Sequence, residues 1–283
     1  MKVLVIGATG YIGSAVAESL KNAGHETYGL ARSEDAAKRL ADAGHHVRAG
    51  SLEDLVALRD TAHGMDALAY CAAGFEADAG AVTALLPTMK GRPFLYTSGV
   101  WVYGDTRGRM LGEIAPLNTP APLTWRPPLE DRVVEAKGMV FRPGMVFGRK
   151  GGTFRSWFES GKQEGVVRVI GDGENHWSNV HVDDLAELYR LAIEEPAGGE
   201  VFLACGGMPQ LVRKLAQAAA SACGPATKVE FVPVEEARKA LGWVADCLAM
   251  DCKAGSTKPA RFFGWSVKHP DVVGELGSGS YLA

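Results

Sequence analysis

The chain has 283 residues, enough for one large α/β unit with an appended lobe or for two domains of roughly 150 residues each. Thirty basic residues stand against 33 acidic ones, a net charge of −3, and 47% of residues are hydrophobic. That balance excludes general disorder, and the lack of a long basic block makes nucleic acid or an anionic membrane a poor partner.

Cys71, Cys205, Cys223, Cys247 and Cys252 are odd in number, scattered, and form no C-x-x-C pair. This argues against a disulfide framework or a zinc site and for a reducing compartment. No apolar run approaches the about 18 residues needed to span a bilayer. The first twenty residues begin like a signal peptide, but Gly7, Gly10 and Gly13 interrupt any apolar stretch. A cytoplasmic, soluble protein is expected.

In chain order, short apolar runs alternate with longer segments of helical period. Strands are expected at Lys2–Ile6, Glu26–Ala31, His46–Ala49, Asp66–Cys71, Pro93–Thr97 and Met139–Arg142. Helices are expected between them at Tyr11–Ala23, Glu34–Ala43, Leu52–Thr61, Ala77–Met89 and Leu129–Glu135. This alternation predicts an α/β fold, a Rossmann-type doubly wound parallel sheet over residues 1–150. Later segments thread back onto that sheet. Beyond Arg142, Gly/Pro loops separate helices at Thr153–Ser160, Asp183–Glu194 and Pro209–Ala222 from strands at Val166–Ile170, Val201–Ala204 and Lys228–Val232. Residues 151–275 therefore read as a smaller, mixed substrate-binding lobe, and 276–283, rich in Gly and Ser, as a flexible tail.

The run Val3-Leu4-Val5-Ile6-Gly7-Ala8-Thr9-Gly10-Tyr11-Ile12-Gly13 is an apolar strand, a glycine-rich turn and a helix start. Gly7 permits the tight turn, Gly10 lets backbone approach a pyrophosphate, and Gly13 lets helix pack on strand. Unpaired amides at the helix N-terminus then hold the anion. The expected contacts are Gly7, Thr9, Gly10, Tyr11, Ile12 and Gly13, with Ala72, Ala73 and Gly74 small enough for a dinucleotide to pass over them.

This G-x-x-G-x-x-G spacing resembles the extended branch of the short-chain dehydrogenase/reductase superfamily. So do Tyr96-Thr97-Ser98-Gly99-Val100-Trp101-Val102-Tyr103-Gly104, Phe141-Arg142-Pro143-Gly144-Met145-Val146-Phe147-Gly148 and Val180-His181-Val182-Asp183-Asp184-Leu185-Ala186, in the order that branch has them. The resemblance covers most of the chain. It implies a nicotinamide cofactor touched also by Thr97, Pro143 and Gly144.

The second strand ends Gly29-Leu30-Ala31-Arg32-Ser33, with no carboxylate to bind a ribose 2′-hydroxyl. Arg32 offers a planar cationic fork and Ser33 a further donor, so NADP(H) is the expected cofactor. The plainer reading makes Arg32 a solvated side chain and Ser33 a helix cap.

Members of the resembled superfamily usually donate a proton from a Tyr four residues before a Lys, with a Ser polarising the carbonyl. Here Arg126 stands at the Lys position and Pro122 at the Tyr position, and Gly99 replaces the serine, with Ser98 one residue early. Proline has no proton to give, and arginine stays charged. Tyr103, Arg126 and Ser98 are the substitute catalytic set, with Tyr103 as proton donor in place of the missing tyrosine. The alternative for Tyr103 is a packed aromatic, the proton then coming from water or substrate. Trp101, Met145, Trp157 and Trp177 are expected to form an apolar, aromatic substrate pocket. His181 reads as a buried hydrogen-bonding residue and Asp183–Asp184 as a helix cap. His45 and His46 read as an exposed strand entry, and no metal site is expected.

The resulting expectation is an NADP(H)-dependent oxidoreductase of an atypical extended short-chain type, acting on a carbonyl, alcohol or imine of a small, partly apolar substrate. The alternatives are a non-catalytic NADP(H)-sensing regulator and a nucleotide-sugar epimerase or dehydratase. A homodimer is the assembly left open.

Overall fold

A computed structural model describes residues 1–73 and 76–282; Gly74, Phe75 and Ala283 lie outside it. Its central sheet has seven parallel strands. They are β1 (Lys2–Ile6), β2 (Glu26–Ala31), β3 (His46–Ala49), β4 (Ala67–Tyr70), β5 (Phe94–Thr97), β6 (Met139–Pro143) and β11 (Glu200–Ala204). Across the sheet the order is β11-β6-β5-β4-β1-β2-β3. β1 pairs on one side with β2 and on the other with β4, so the order reverses beside β1. In an open sheet of this kind the crevice beyond the carboxyl ends of those strands is where a ligand binds.

Side chains alternate across each strand, which divides the core in two. Val3 and Val5 face the layer holding α1 (Tyr11–Asn22) and α7 (Val182–Glu194). Leu4 and Ile6 face the layer of α3 (Leu55–Ala62), α4 (Glu76–Thr88) and α5 (Arg126–Glu135). Strands buried on both faces read as continuous apolar runs, which made them legible from sequence. α2 (Glu34–Asp42) begins at the cap Ser33, whose hydroxyl accepts from Ala36 N at 3.3 Å. α5 starts three residues earlier than its apolar period suggested. Pro127 and Pro128 fall in its first turn, where a missing N–H costs nothing because that turn has no acceptor for it.

The second lobe is built from pieces too short for periodicity to reveal. β7 (Met145–Phe147) pairs with β10 (Asn179–His181), β9 (His176–Trp177) with β12 (Gln210–Leu211), and β8 (Val166–Ile170) with β13 (Lys228–Val232). Helices α6 (Arg155–Glu164) and α8 (Val212–Cys223) pack on them, followed by α9 (Val234–Leu241), α10 (Val244–Ala249), α11 (Lys258–Phe263) and α12 (Val272–Ser278).

Three local expectations are corrected. The tail is not loose: Leu276 is fully buried within α12, and the Tyr281 ring stacks on Phe158 with centroids 4.5 Å apart. Burial of those two side chains overrides the Gly/Ser composition around them. Asp184 does not cap its helix but is buried, accepting from Lys268 N, His269 N and His269 Nδ1 and so anchoring the chain's last stretch. His181 supplies the cap instead, its Nδ1 accepting from Asp183 N at 3.2 Å. His45 is buried, 2.6 Å from the Thr27 hydroxyl, while exposed His46 stacks on Tyr28.

Candidate functional site

The glycine turn has the geometry of a phosphate cradle. Gly7 adopts φ +83°, and a Cβ there would lie 2.9 Å from the Ala72 amide nitrogen. A Cβ on Gly13 would fall 2.1 Å from the Gly7 carbonyl oxygen, so helix and strand touch where no side chain fits. At Gly10 a Cβ would meet only the Gly7 oxygen, at 3.2 Å, and otherwise open space. Gly10 N donates to that oxygen and Ser14 N to Gly10 O, while the amides of Tyr11, Ile12 and Gly13 have no acceptor among the described residues. Three orphan donors at an α-helix N-terminus, facing space that a side chain at Gly10 would fill, fit a pyrophosphate.

The turn opens onto a cleft of about 630 Å³ lined by Thr9, Gly10, Tyr11 and Lys150 among others. Tyr11 is half-buried and donates to the Gly148 carbonyl at 2.8 Å. Tyr281 accepts from Gly148 N at 2.9 Å and donates to Gly151 O at 2.6 Å, pinning the far wall of the cleft.

At the tip of β2, Arg32 is exposed and forms no ion pair among the described residues. The Ser33 oxygen caps α2, and its hydroxyl proton has no acceptor among the described residues. Ala72 is half-buried and Ala73 exposed beyond β4, while the predicted contact Gly74 lies outside the described residues. Thr97 turns its hydroxyl inward, donating to Tyr70 O at 2.7 Å and meeting Tyr189 Oη at 2.6 Å, which leaves only its backbone for a cofactor. Pro143 ends β6, and Gly144 packs so tightly that a Cβ would stand 2.4 Å from the Ser178 carbonyl oxygen.

At the end of β5 the structure brings Arg126 close to Gly99, the residue after Ser98. A Cβ on that glycine would lie 3.8 Å from Arg126 Nη1. The guanidinium sits 5.1 Å from the Trp125 ring centroid. Ser98 Oγ and Arg126 Nε are both buried without a hydrogen-bond partner among the described residues, as are Tyr96 Oη and the indole nitrogens of Trp101 and Trp177. Buried polar atoms are rarely left unmatched, and a cluster of them marks a place where a ligand completes the bonding.

Tyr103 is placed differently from the proton donor expected of it. It is buried, and its hydroxyl accepts from Arg142 Nη1 at 2.7 Å and points to the Glu113 carbonyl at 3.3 Å. Arg142 is itself buried and paired with buried Glu130 through Nη2 and Nε. Burial pushes the Tyr103 phenol up to about 12 although the Arg142 charge pulls the other way. The hydroxyl is thus occupied in tethering a buried arginine. Sequence reasoning missed this because Arg142 and Glu130 lie on separate elements, β6 and α5.

Met145, Trp157 and Trp177 are buried in one apolar cluster, and Trp101 packs against it. The Trp157 and Trp177 rings stack with centroids 5.8 Å apart. Outside these groups, His181, Asp183 and His269 bring potential ligand atoms within 4.8 Å. One polar atom of each is already engaged: His181 Nδ1 with the Asp183 amide, Asp183 Oδ1 with Arg149 Nε, and His269 Nδ1 with Asp184. The five cysteines are all free thiols. No helix among the described residues is long and apolar enough to cross a membrane.

Residues 3–119 match the NAD dependent epimerase/dehydratase family. An uncharacterised protein of Schizosaccharomyces pombe, C2A9.02, is 28% identical over 309 aligned positions spanning all of both chains. A 4-hydroxy-2-methyl-3-oxo-4-farnesyl-3,4-dihydroquinoline-1-oxide ketoreductase of Stigmatella aurantiaca is 27% identical, over 85% of this chain and 78% of its own. Among solved structures, the human epimerase family protein SDR39U1 with NADPH shares the fold at a TM-score of 0.79, with 18% identity over 99% of each chain.

Proposed function

We propose that this chain, whose residues 3–119 match the NAD dependent epimerase/dehydratase family, is an NADP(H)-dependent oxidoreductase. Its substrate is a small, partly apolar carbonyl compound or the corresponding alcohol or imine. The observation that carries the reading is the pair of buried, unpartnered groups Ser98 Oγ and Arg126 Nε at the sheet edge that also holds the glycine turn.

When bound, the cofactor supplies or accepts the hydride. Gly7, Gly10 and Gly13 hold its pyrophosphate against the free amides of α1, and Arg32 with Ser33 selects the 2′-phosphate. The Ser98 hydroxyl donates to the carbonyl oxygen, and Arg126 stabilises the negative charge that develops there as hydride arrives. Preorganised donors aimed at such an oxygen act strongly because water is excluded around them. The alkoxide takes its final proton from water or from the substrate itself, since Pro122 has none and the Tyr103 hydroxyl is held by Arg142. The apolar cluster around Trp157 and Trp177 suits a ketone with a hydrophobic body better than a nucleotide sugar. Kinship with a ketoreductase, and a like fold solved with NADPH, support the same reading.

The test is NADPH consumption by the purified protein across a panel of ketones, aldehydes and imines, with Ser98→Ala and Arg126→Gln alongside. Turnover in the wild type that both variants lose supports the proposal. Tight NADPH binding with no turnover on the whole panel replaces it with the sensing regulator, which the tethering of Tyr103 favours.

A further inference from the structure

Buried His181 and exposed His269 stack their imidazoles face to face, with centroids 4.2 Å apart and planes 26° from parallel. Rings so nearly parallel cannot aim their lone pairs at one ion, so the pair is no metal site. Hydrogen bonding distinguishes the two rings. His181 Nδ1 accepts from Asp183 N at the start of α7, so the hydrogen of its neutral ring is on Nε2. His269 Nδ1 lies 2.9 Å from the buried Asp184 carboxylate and donates to it.

The His181 ring lies against Gly148, where a Cβ would fall 2.1 Å from Nε2. Three parts of the molecule meet at that glycine. Its amide donates to Tyr281 Oη, its carbonyl accepts from Tyr11 at the start of α1, and the imidazole occupies its side-chain face. The next two residues, Arg149 and Lys150, hold left-handed φ values of +48° and +59°. Such backbone persists only where its surroundings hold it, and here it walls the cleft beside the glycine turn. On the far side of the stack, Asp184 also accepts from Lys268 N and His269 N. The stack and this carboxylate together hold the chain between α11 and α12 onto α7.

We propose that the His181–His269 stack is a pH-operated latch: proton uptake by His181 releases Lys268 and His269 from α7 and loosens the Gly148–Lys150 wall of the cleft. A proton on Nδ1 removes the acceptor of the Asp183 amide and sets a second N–H against it. It also places positive charge against the facing ring of His269. The charged groups around His181 are Asp183 and Asp184 of α7, His269, and Glu275 of α12. Arg149 joins them through Asp183 Oδ1, 2.6 Å from its Nε, and Glu18 of α1 through Arg149. Burial, then His269, keeps the His181 imidazole below its ordinary 6.5 against the pull of the three carboxylates. The latch is therefore closed above 6.5 and opens as pH falls toward the lower folded value. It acts on whatever the cleft holds, and so stands apart from the oxidoreductase reading.

Amide hydrogen exchange of the full chain at pH 7.5 and pH 5.5, corrected for intrinsic rates, reads the latch directly. In the wild type, protection of the Gly148, Lys268 and His269 amides should fall about tenfold at the lower pH, the effect of one proton over one pH unit, while β1 and β4 keep theirs. His181→Asn keeps an acceptor for the Asp183 amide but takes up no proton, so its protection should not change with pH. His269→Asn keeps a donor for Asp184 and removes a cause that holds His181 neutral, so the fall should shrink. A stack that only packs would lower protection in both variants equally at each pH. An unchanged wild type, the same fall in all three proteins, or a fall shared equally by β1 and β4 overturns the proposal. Should His181→Asn fail to fold, an undiminished fall in His269→Asn, altered at an exposed position, overturns it alone.

Discussion

At the glycine turn, the groups that would hold a ligand are backbone amides from a few consecutive residues, Tyr11 to Gly13, exposed by glycines that keep side chains away. Further along the chain, the groups proposed to meet the substrate are side chains: Ser98 after β5, Arg126 at the start of α5, and Trp101 and Trp177 from separate segments. The first region is local and depends on where side chains are absent. The second is assembled across 80 residues of chain, Ser98 to Trp177, and depends on which side chains are left without partners among the described residues. A substitution at the turn should therefore act through shape, and one at the reacting end through charge and hydrogen bonding.

The largest expected effect tests the first half of that contrast. Gly10→Val should remove measurable NADPH binding by calorimetry while the protein stays folded, because its Cβ meets only one protein atom, at 3.2 Å. Gly13→Ala should instead lower the melting temperature sharply, since its Cβ would sit 2.1 Å from a carbonyl oxygen. Retained NADPH affinity in folded Gly10→Val would move the cradle elsewhere.

At the reacting end, Ser98→Ala should cut turnover by about 10²–10³-fold with NADPH affinity little changed, the usual cost of losing one donor to a developing oxyanion. A fall in cofactor affinity with turnover intact would make Ser98 part of the cradle and erase the contrast.

Arg32→Ala should weaken NADPH binding by about 10- to 100-fold, in line with about 1.5–3 kcal/mol for a hydrogen bond to a charged group, and leave NADH binding alone. Equal losses for both cofactors would return Arg32 to the status of a solvated side chain.

Tyr103→Phe separates a tether from an acid. Loss of the hydroxyl leaves buried Arg142 short of one acceptor, so stability to urea should drop by about 1–3 kcal/mol with turnover unchanged. A drop in turnover of about 10²-fold or more at unchanged stability would restore Tyr103 as the proton donor.

The smallest effect concerns pH. Burial, then the nearby Lys21 charge, holds the His45 imidazole below its ordinary 6.5. The folded state thus favours neutral His45, and the unfolded chain takes up the proton first. Its contribution to stability is complete above 6.5 and is lost as pH falls toward the folded value. Urea midpoints measured from pH 7.5 to pH 5.5 should fall less steeply in His45→Gln than in wild type, and equal slopes would remove His45 from the account.

Much of the central sheet is legible in the sequence. The bounds expected for β1, β2 and β3 coincide with those observed. β1 is a buried apolar run that stops at Gly7. Edge strand β3, exposed at His46, Arg48 and Ala49, is delimited instead by the turns at Gly44 and Gly50 rather than by burial. The second lobe was legible only in part. Val166–Ile170 and Lys228–Val232 were evident as strands, but β7, β9, β10 and β12 have two or three residues each, too few for any period. The Gly/Ser-rich end misled because composition reports average solvation, whereas the buried side chains of Leu276 and Tyr281 help to hold that segment.

The sequence by itself determined the parallel sheet and the glycine turn, since each rests on residues adjacent along the chain. The roles of the remaining side chains were decided only in three dimensions. Tyr103 and Ser98 lie five residues apart on one segment, yet the first is tied to Arg142 while the second is buried with nothing to bond. Hydrogen bonds are made to whatever lies within about 3 Å, and what lies there is set by how β6 and α5 pack, not by the order of residues along the chain.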